Sequence, residues 1–547
     1  MPNTDKASIT VGDVTVTTEV AHPVFRGLPS SGLSAVTNFP FMRKVTENAQ
    51  LQQLLQGGRN RLLSFQPLES EQKEDTPATQ KFRAVFYDYQ RNHSVVAQSS
   101  VEHPEEVETA VRLEQPIPPW EEFQEAVEHL KKDPTLGAAI QAGRLQTYRA
   151  MPAVVSAATS GETSARVLTV GLKPTSPGEK HQIVGVNMTT GKMVVFHNDA
   201  PAGSQAGSNT CGPPFVQQQT VSNMPGEVRI TVTKGGTTLW TLNAIRPAAS
   251  SGRRGSGVEV RYVAYKGKRV LFRGHVPILN VRYKNDACGP YRDWQNEEGT
   301  LVAPAGTDIG QTGFRLCQGK AKTMLETGSD QGNHLGTAIY MDGAEVVLVA
   351  EMEAGWYRYV CEWRFHTNGT IKPRFGFSAV ANSCVCNQHF HHAYWRLDFD
   401  IETAAHNAVE EFNKPIFGPA GGNWSTLPFE TRRSRHQIFQ RKWRVRNLNS
   451  NAAYEIIPGS TDGVADAEFG VGDLWAVRYR SKELDDGVND TTGTPAQLMA
   501  QLDKFVTGES IADADVVVWY AGHFTHDFHD NAVGHIIGPT LKPSNWT

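Results

Sequence analysis

Short segments of alternating apolar and polar residues follow one another through the C-terminal part of the chain, from about residue 226 to residue 547. Successive side chains of a strand point to opposite faces, so such segments predict strands with one buried face. Gly, Pro, Asn and Asp separate them at short intervals, which favours antiparallel connections through tight turns. The segments include VEVRYVAY, KRVLFRG, TAIYMDG, AEVVLVAEM, YRYVCEWRF, YWRLDFDI and ADVVVWYAG. This pattern predicts a large antiparallel β sandwich over 226–547.

The residues before this region combine helical and strand patterns. In PPWEEFQEAVEHLKKD the apolar residues recur every three or four positions, with acids early and lysines late, which predicts a helix that starts near Pro118. We expect an N-terminal arm over 1–40 and two small αβ domains over 41–100 and 101–205. A stretch rich in Gly, Ser, Asn and Pro then leads into the sandwich, and the fold class is α+β.

Charge and composition exclude several function classes. The chain has 53 Lys plus Arg against 57 Asp plus Glu, a net charge of −4, which argues against binding to nucleic acid. It has no uninterrupted apolar run long enough to cross a membrane, and its N-terminus lacks the pattern of an export signal. Six cysteines are few for 547 residues and indicate a reducing compartment. We therefore expect a soluble, cytoplasmic protein without a disulfide framework.

Two histidines stand two residues apart in the segment HFHHAYWRLD, at His389 and His391. Residues i and i+2 of a strand share a face, so both imidazoles can reach one metal ion. Neutral imidazole suits copper, zinc, iron and nickel, and a third ligand has to come from elsewhere. The C-terminal segment offers three candidates, His523, His526 and His529.

Two other interpretations of this segment remain open. Histidines at this spacing also occur in solvated or structural roles without a metal. Cys384 and Cys386 just before the pair suggest a compact zinc site, although their spacing fits no common zinc pattern.

The segment HFHHAYWRLD resembles the signature of the copper amine oxidases, in which a His-x-His strand runs into Arg-Leu-Asp. The resemblance implies His389 and His391 as copper ligands. It implies His526 as the third, because DVVVW at 515–519 matches the strand that precedes the third histidine of the family. The order of two small αβ domains before a large β sandwich is also that of the family.

The resemblance extends to the organic cofactor topaquinone, which the family makes from a tyrosine in Thr-x-x-Asn-Tyr-Asp/Glu-Tyr. The corresponding segment is EAGWYRY, which implies Tyr357 as the precursor. A phenol is inert near neutral pH, but a Cu(II) ion beside it would favour the phenolate and make ring oxidation feasible. Trp356 stands where the family has Asn, and Arg358 where it has an acid. Tyr283 matches a family tyrosine that hydrogen-bonds the quinone.

The catalytic base of the family is an Asp that removes the substrate's α-proton. Aligning Trp-Gln-Asn at 294–296 places Gly299 at that position, so we expect the neighbouring Glu298 to act as the base. Asp293 and Glu297 are the alternatives. On this assignment, Glu298→Gln suppresses amine turnover and leaves the copper content intact.

Two further acids, Asp398 and Asp515, match family positions that hold a second, structural calcium or manganese ion. Carboxylate oxygens suit such ions. A salt bridge, for example to Arg396, is the alternative role for Asp398.

The resemblance implies oxidative deamination of a primary amine, which yields an aldehyde, ammonia and hydrogen peroxide with dioxygen as oxidant. It also implies a homodimer. The departures at Trp356, Arg358 and Gly299 keep two alternatives open: a copper oxidase or oxygenase without the quinone, and a noncatalytic metal-binding homologue.

Overall fold

A computed structural model describes most of the chain. The described residues are 3–21, 33–68, 73, 81–113, 115–157, 165–176, 178–195, 211–216, 220–222, 226–284, 288–414, 423–466, 469–488, 493–526 and 535–546. The structure is mostly β-sheet, in several sheets, as the alternating segments predict.

The N-terminal residues contribute strands to the two large sheets described below. These strands are β1 (Asn3–Thr4), β2 (Lys6–Val11) and β3 (Val14–Val20). A 3₁₀ helix then spans Leu33–Asn38.

A first small unit packs two helices against a four-stranded antiparallel sheet. Its elements are α1 (Pro40–Thr46), α2 (Ala49–Leu55), β4 (Asn60–Leu68), β5 (Lys81–Asp88), β6 (His93–Ser100) and β7 (Glu108–Arg112). Asn48 starts α2, because its side chain accepts hydrogen bonds from the backbone N–H groups of Gln50 and Leu51. β7 carries this sheet past residue 100, where we expected the domain boundary, because its backbone pairs with β6.

A second small unit has the same composition of two helices and four antiparallel strands. Its elements are α3 (Trp120–Leu130), α4 (Gly137–Gln141), β8 (Leu145–Ala157), β9 (Ala165–Pro174), β10 (Gln182–Asn187) and β11 (Met193–Val194). The periodic residues Phe123, Val127 and Leu130 form the buried face of α3. On the same helix, Glu122 makes a buried two-pronged ion pair with Arg166 of β9.

The remaining residues form two large sheets that share one core. The strands of this part are β12 (Val221–Ser222), β13 (Glu227–Lys234), β14 (Thr237–Ile245), β15 (Glu259–Tyr265), β16 (Lys268–Tyr283), β17 (Tyr291–Arg292), β18 (Glu297–Glu298), β19 (Thr300–Leu301), β20 (Gly306–Ile309), β21 (Phe314–Cys317), β22 (His334–Leu335), β23 (Thr337–Asp342), β24 (Glu345–Ala354), β25 (Tyr357–His366), β26 (Ile371–Ala379), β27 (His389–Phe399), β28 (Asn407–Asn413), β29 (Asn423–Thr426), β30 (Thr431–Arg433), β31 (Lys442–Asn447), β32 (Ala453–Ile457), β33 (Leu474–Arg478), β34 (Val516–His526), β35 (His535–Ile537) and β36 (Thr540–Ser544). Of these, β19 and β22 pair with each other in a small separate sheet. The short helices in this part are α5 (Met324–Thr327), α6 (Pro495–Leu498) and 3₁₀ turns at Pro247–Ala249, Cys384–Cys386 and Leu502–Phe505.

The first large sheet has the order β2-β3-β13-β14-β15-β16-β27-β34-β33-β30, with β17 beside β16. The second has the order β1-β20-β21-β23-β24-β25-β26-β36-β32-β31-β28-β29, with β12, β18 and β35 attached. Pairing within both is antiparallel among the described strands, except for β1 with β20 and β21 with β23. Apolar side chains from the facing strands of both sheets form one continuous core, so β25 of the second sheet faces β27 of the first.

The cysteines correct one expectation. Cys211 is bonded to Cys386 and Cys288 to Cys384, while Cys317 and Cys361 are free and buried. The partners are 175 and 96 residues apart in the chain, so local spacing could not reveal them.

These bridges have two consequences. Sulfurs held in disulfides are not available as thiolate ligands, so the zinc site suggested at Cys384 and Cys386 is wrong. Disulfides are also typical of oxidising compartments, which removes the composition argument for a cytoplasmic location.

The helices of the described residues are short. The longest α-helix among them, α3, has 11 residues, whereas a membrane-spanning helix needs about 20 apolar ones. Within the ranges that the structure covers, no helix combines the length and the apolar character needed to cross a bilayer.

Candidate metal centre

Three of the predicted histidines lie on one face of the β27–β34 pair. His389 and His391 alternate along β27 and therefore share a face. In the antiparallel register His526 of β34 stands directly opposite His389, and opposed residues project to the same side. The strand pair thus gathers three imidazoles between the two large sheets.

The three rings offer ligand atoms to a common point. One nitrogen of each lies within 4.8 Å of the others, and His526 Nδ1 is 3.0 Å from His389 Nε2. His391 is 0% exposed, and neither of its ring nitrogens has a hydrogen-bond partner. A buried polar group without a partner is costly, and a metal ion bound here would satisfy it. The donor set fits copper, which imidazole nitrogens bind well.

The surroundings favour the neutral form of His389 and His391. Burial, with the nearby His526, lowers the pKa of His389 to about 3, and burial lowers the pKa of His391 well below its usual value. His389 Nδ1 donates a hydrogen bond to the Asn387 carbonyl at 2.5 Å, which leaves the Nε2 lone pair facing the cluster. Neutral imidazoles with free lone pairs are the form that binds metal.

The other candidate histidines lie elsewhere. His523 stands opposite His392, on the reverse face of the strand pair, and their Nδ1 atoms are 2.7 Å apart. His523 Nε2 donates to the Gly472 carbonyl at 2.9 Å. The alternation of side chains along β34 separates His523 from His526, a signal that the sequence already contains. His529 lies outside the described residues.

A tight turn places Tyr357 at the cluster. Gly355 and Trp356 form the two-residue connection between β24 and β25, and Gly355 has φ +60, which glycine adopts without strain. A Cβ at Gly355 would lie 2.2 Å from Met151 Cγ of β8, so the turn packs tightly against the second small unit. Tyr357 follows as the first residue of β25.

Tyr357 contacts all three histidines from the opposite sheet. Its hydroxyl contacts His389 Nε2 and lies 3.0 Å from His526 Nδ1, and its ring centroid is 4.5 Å from that of His391. Burial, reinforced by Tyr283 and Asp293, raises the pKa of Tyr357 well above its usual value. Without a cation beside it, this phenol stays protonated.

Trp356 and Arg358, the two departures beside Tyr357, point in different directions. Trp356 Nε1 donates to the Tyr283 hydroxyl at 2.9 Å, and the Tyr283 ring stacks on His389 at 4.7 Å. Arg358 alternates to the other face of β25 and makes a two-pronged ion pair with Asp330, at 2.8 and 3.2 Å. Trp356 therefore belongs to the wall of the cluster, whereas Arg358 faces away from the Tyr357 ring.

A buried carboxyl group lies next to the tyrosines. Tyr359 stacks on Tyr357 at a centroid distance of 5.2 Å, and its hydroxyl donates to Asp293 Oδ2. Asp293 Oδ1 has no hydrogen-bond partner, and burial raises the pKa of Asp293 to about 7. The backbone N–H of Asp293 donates to the Leu279 carbonyl of β16, which fixes the residue at this position.

The two glutamates considered as bases have other partners. Glu298 makes a buried ion pair with Arg246, and Glu297 accepts from the Thr220 hydroxyl and pairs with Arg149. Of the three acids considered from the sequence, Asp293 is the one whose carboxyl group contacts the tyrosine pair.

At the far end of β27, Asp398 and Asp515 lie together with Asp400, which the sequence analysis did not single out. Lys73 forms ion pairs with all three carboxylates, and Arg396 lies 3.4 Å from Asp398.

The sequence matches no protein-family profile and no curated protein. The structure resembles several solved structures. A copper-containing benzylamine oxidase from Hansenula polymorpha superposes with a TM-score of 0.60 at 14% identity, over 92% of this chain and 96% of that one. The Aspergillus nidulans amine oxidase gives 0.53 at 13% identity, over 93% and 88%. The Pichia pastoris lysyl oxidase gives 0.51 at 12% identity, over 89% and 86%. The chain has the fold of these oxidases along nearly its whole length.

Proposed function

We propose that the protein is a copper-dependent oxidase that converts primary amines to aldehydes, with release of ammonia and hydrogen peroxide. The observation that carries this proposal is the convergence of three imidazoles beside Tyr357, whose hydroxyl contacts His389 and lies 3.0 Å from His526 Nδ1. The likeness to a copper-containing benzylamine oxidase, an amine oxidase and a lysyl oxidase supports it.

His389, His391 and His526 would hold the copper ion, with Tyr357 beside it. When bound, copper favours the ionised phenol and exchanges electrons with dioxygen, which is the chemistry needed to oxidise Tyr357 to topaquinone and to complete each turnover. The chain contributes one ligand that is already oriented, since His389 Nδ1 donates to the Asn387 carbonyl and its Nε2 faces the cluster.

Asp293 is the best placed general base. Its carboxyl group accepts a hydrogen bond from Tyr359, which stacks on Tyr357. We propose that the substrate binds on this side of the tyrosine pair. A pKa of about 7 matches a base that has to accept a proton near neutral pH and release it afterwards. We therefore propose Asp293 in preference to Glu298, which is engaged by Arg246.

Tyr283 and Trp356 help to hold the His389 ring and the turn before Tyr357 in position. The Trp356 N–H donates to the Tyr283 hydroxyl, and Tyr283 stacks on His389, so the two rings connect the turn before Tyr357 to a ligand strand. Tyr357, Tyr359 and His391 are all 0% exposed. These three side chains are shielded from bulk solvent, which strengthens electrostatic interactions among them.

The test is to load the protein with copper in air and to titrate it with phenylhydrazine, which reacts with quinone carbonyls. We expect a coloured protein with a reactive group at about one equivalent per chain, and a peptide at Tyr357 that has gained two oxygen atoms and lost two hydrogen atoms. Tyr357→Phe abolishes both signals. Tyr394→Phe is the matched control, because Tyr394 lies on β27 but points to the face away from the three histidines.

A copper oxidase without the quinone is the second candidate, and Trp356 favours it. This bulky side chain lies where the resemblance implies an asparagine, and it already occupies the Tyr283 hydroxyl. Fully coppered protein that lacks the phenylhydrazine signal but consumes dioxygen with a reductant would select this function. Coppered protein that does neither would be a noncatalytic homologue.

A further inference from the structure

The end of the β27–β34 pair opposite the histidines gathers three carboxylates. Asp398 is the penultimate residue of β27, Asp400 follows that strand, and Asp515 immediately precedes β34. Phe399 pairs with Val516 in the register, so the chain segments that carry the acids are adjacent. One oxygen of each carboxylate lies within 4.8 Å of the others.

The ammonium group of Lys73 lies among these oxygens. Lys73 Nζ is 2.7 Å from Asp398 Oδ1, 2.9 Å from Asp400 Oδ1 and 2.6 Å from Asp515 Oδ1. An ammonium group has three N–H donors, and each can serve one carboxylate. The Tyr479 ring centroid lies 3.9 Å from the same nitrogen, which adds a cation–π contact.

The site is largely enclosed. The side chain of Lys73 is 12% exposed, that of Asp398 0%, that of Asp400 5% and that of Asp515 25%. Burial alone would lower the pKa of Lys73, but the three carboxylates outweigh it and raise that pKa above its usual value. Lys73 is therefore charged throughout the physiological pH range.

This arrangement does not fit the calcium or manganese ion that the sequence resemblance implies at Asp398 and Asp515. Calcium takes six to eight oxygen ligands at about 2.3–2.6 Å, and these carboxylate oxygens are already directed at an ammonium nitrogen. A divalent ion would have to displace Lys73 and leave its charge buried beside the new one, which is unfavourable.

We propose that Lys73 takes the place of the second metal ion, so that the Asp398, Asp400 and Asp515 cluster binds a cation belonging to the chain and no free divalent cation. Lys73 lies in the sequence between β4, which ends at Leu68, and β5 of the first small unit. The same three ion pairs therefore attach that unit to the first large sheet, independently of the calcium concentration.

The test uses the full-length, copper-loaded protein and calcium or manganese as the probe. After equilibrium dialysis against each ion, metal analysis of the wild type should find no bound equivalent beyond copper. Lys73→Met removes the ammonium group but keeps a long side chain, and this variant should gain about one calcium ion per chain. Lys73→Arg keeps the positive charge and should gain none. Adding Asp400→Asn to Lys73→Met should remove the gained calcium.

Either of two results would overturn the proposal: one equivalent of calcium or manganese on the wild type that Asp400→Asn abolishes, or a folded Lys73→Met variant that binds neither ion. If Lys73→Met does not fold, a second experiment tests the proposal on the native wild type. Its lysines are acetylated, and peptide mapping measures how fast each one is labelled. Lys73 should then be protected, with or without a chelator, relative to the exposed Lys266. Labelling of Lys73 as fast as of Lys266 would contradict the occupied site.

Discussion

Each end of the β27–β34 pair gathers side chains that can bind a cation, but the two clusters differ in the partners they have. At one end His389 and His526 are opposed, and at the other Asp398 and Asp515 flank the last paired residues. The nine residue steps from His389 to Asp398 separate the ends by about 30 Å along the strand. Each end collects three side chains of ligand type, two of them buried and the third, His526 or Asp515, half-buried.

The difference lies in what satisfies each cluster. Each acid presents an acceptor oxygen, so the three N–H donors of the Lys73 ammonium group can serve all three. Burial lowers the pKa of His389 and of His391, which favours neutral imidazoles with lone pairs to offer, and both nitrogens of His391 lack a partner. A protein side chain can replace a metal whose role is only to hold carboxylates together. It cannot replace one whose role is to accept lone pairs and exchange electrons.

Removing a ligand at the histidine end should have the largest effect. We expect His391→Ala to weaken copper binding by more than about 100-fold, because loss of even outer-shell partners costs 10–100-fold. Amine turnover and the phenylhydrazine signal should disappear with the metal. Copper analysis after dialysis measures the loss.

His392→Ala is the control for that variant, because His392 is the next residue on β27 but faces the other side and contacts His523. It should keep stoichiometric copper. Equal copper loss in both variants would show that the strand, rather than the ligand, was disrupted.

Removing the base should leave the histidine end intact and affect turnover alone. Asp293→Asn should lower kcat by about 10²–10⁴-fold, the usual contribution of general base catalysis, at unchanged copper content. Glu298→Gln, expressed per coppered site, should have a much smaller effect. If Glu298→Gln is the more damaging substitution, the base is Glu298 and the sequence alignment was correct.

The pH dependence follows from the raised pKa of Asp293. The base works in its deprotonated form, so kcat/KM should fall about tenfold per pH unit below about pH 7 and level off above it. The profile is measured with copper content verified at each pH. An acidic limb near pH 4 would assign the proton transfer to a carboxyl group with an ordinary pKa.

Breaking the carboxylate end should leave turnover nearly unchanged. In calcium-free buffer, Lys73→Met leaves three carboxylates without their cation and should destabilise the protein by about 3–5 kcal/mol, as in other buried pairs that lose one partner. Thermal denaturation followed by circular dichroism measures the loss. Copper content should match the wild type, and coupled loss of copper would mean that the two ends are not independent.

The sequence predicted those features that depend on local periodicity. Alternation gave the β-rich sandwich region, and the i, i+2 spacing placed His389 and His391 on one face. The same alternation also separates His526 from His523, because residues three apart on one strand lie on opposite faces.

Contacts between distant parts of the chain were not accessible in this way. Lys73 meets Asp398 across 325 residues, and no local pattern marks it. Asp293 and Glu298 are five residues apart in the sequence, and tertiary contacts distinguish them: Tyr359 donates to Asp293, whereas Arg246 pairs with Glu298. The disulfides likewise depend on which loops meet in space.

The two disulfides restrain the chain segment that immediately precedes the histidine end. Cys384 and Cys386 are cross-linked to two separate segments, and the residue after Cys386 is Asn387, whose carbonyl orients His389. In a chain whose thiols are reduced, the segment that carries this carbonyl lacks both cross-links to the distant parts of the chain. The alignment of His389 then depends on its non-covalent neighbours alone, the stacked ring of Tyr283 among them.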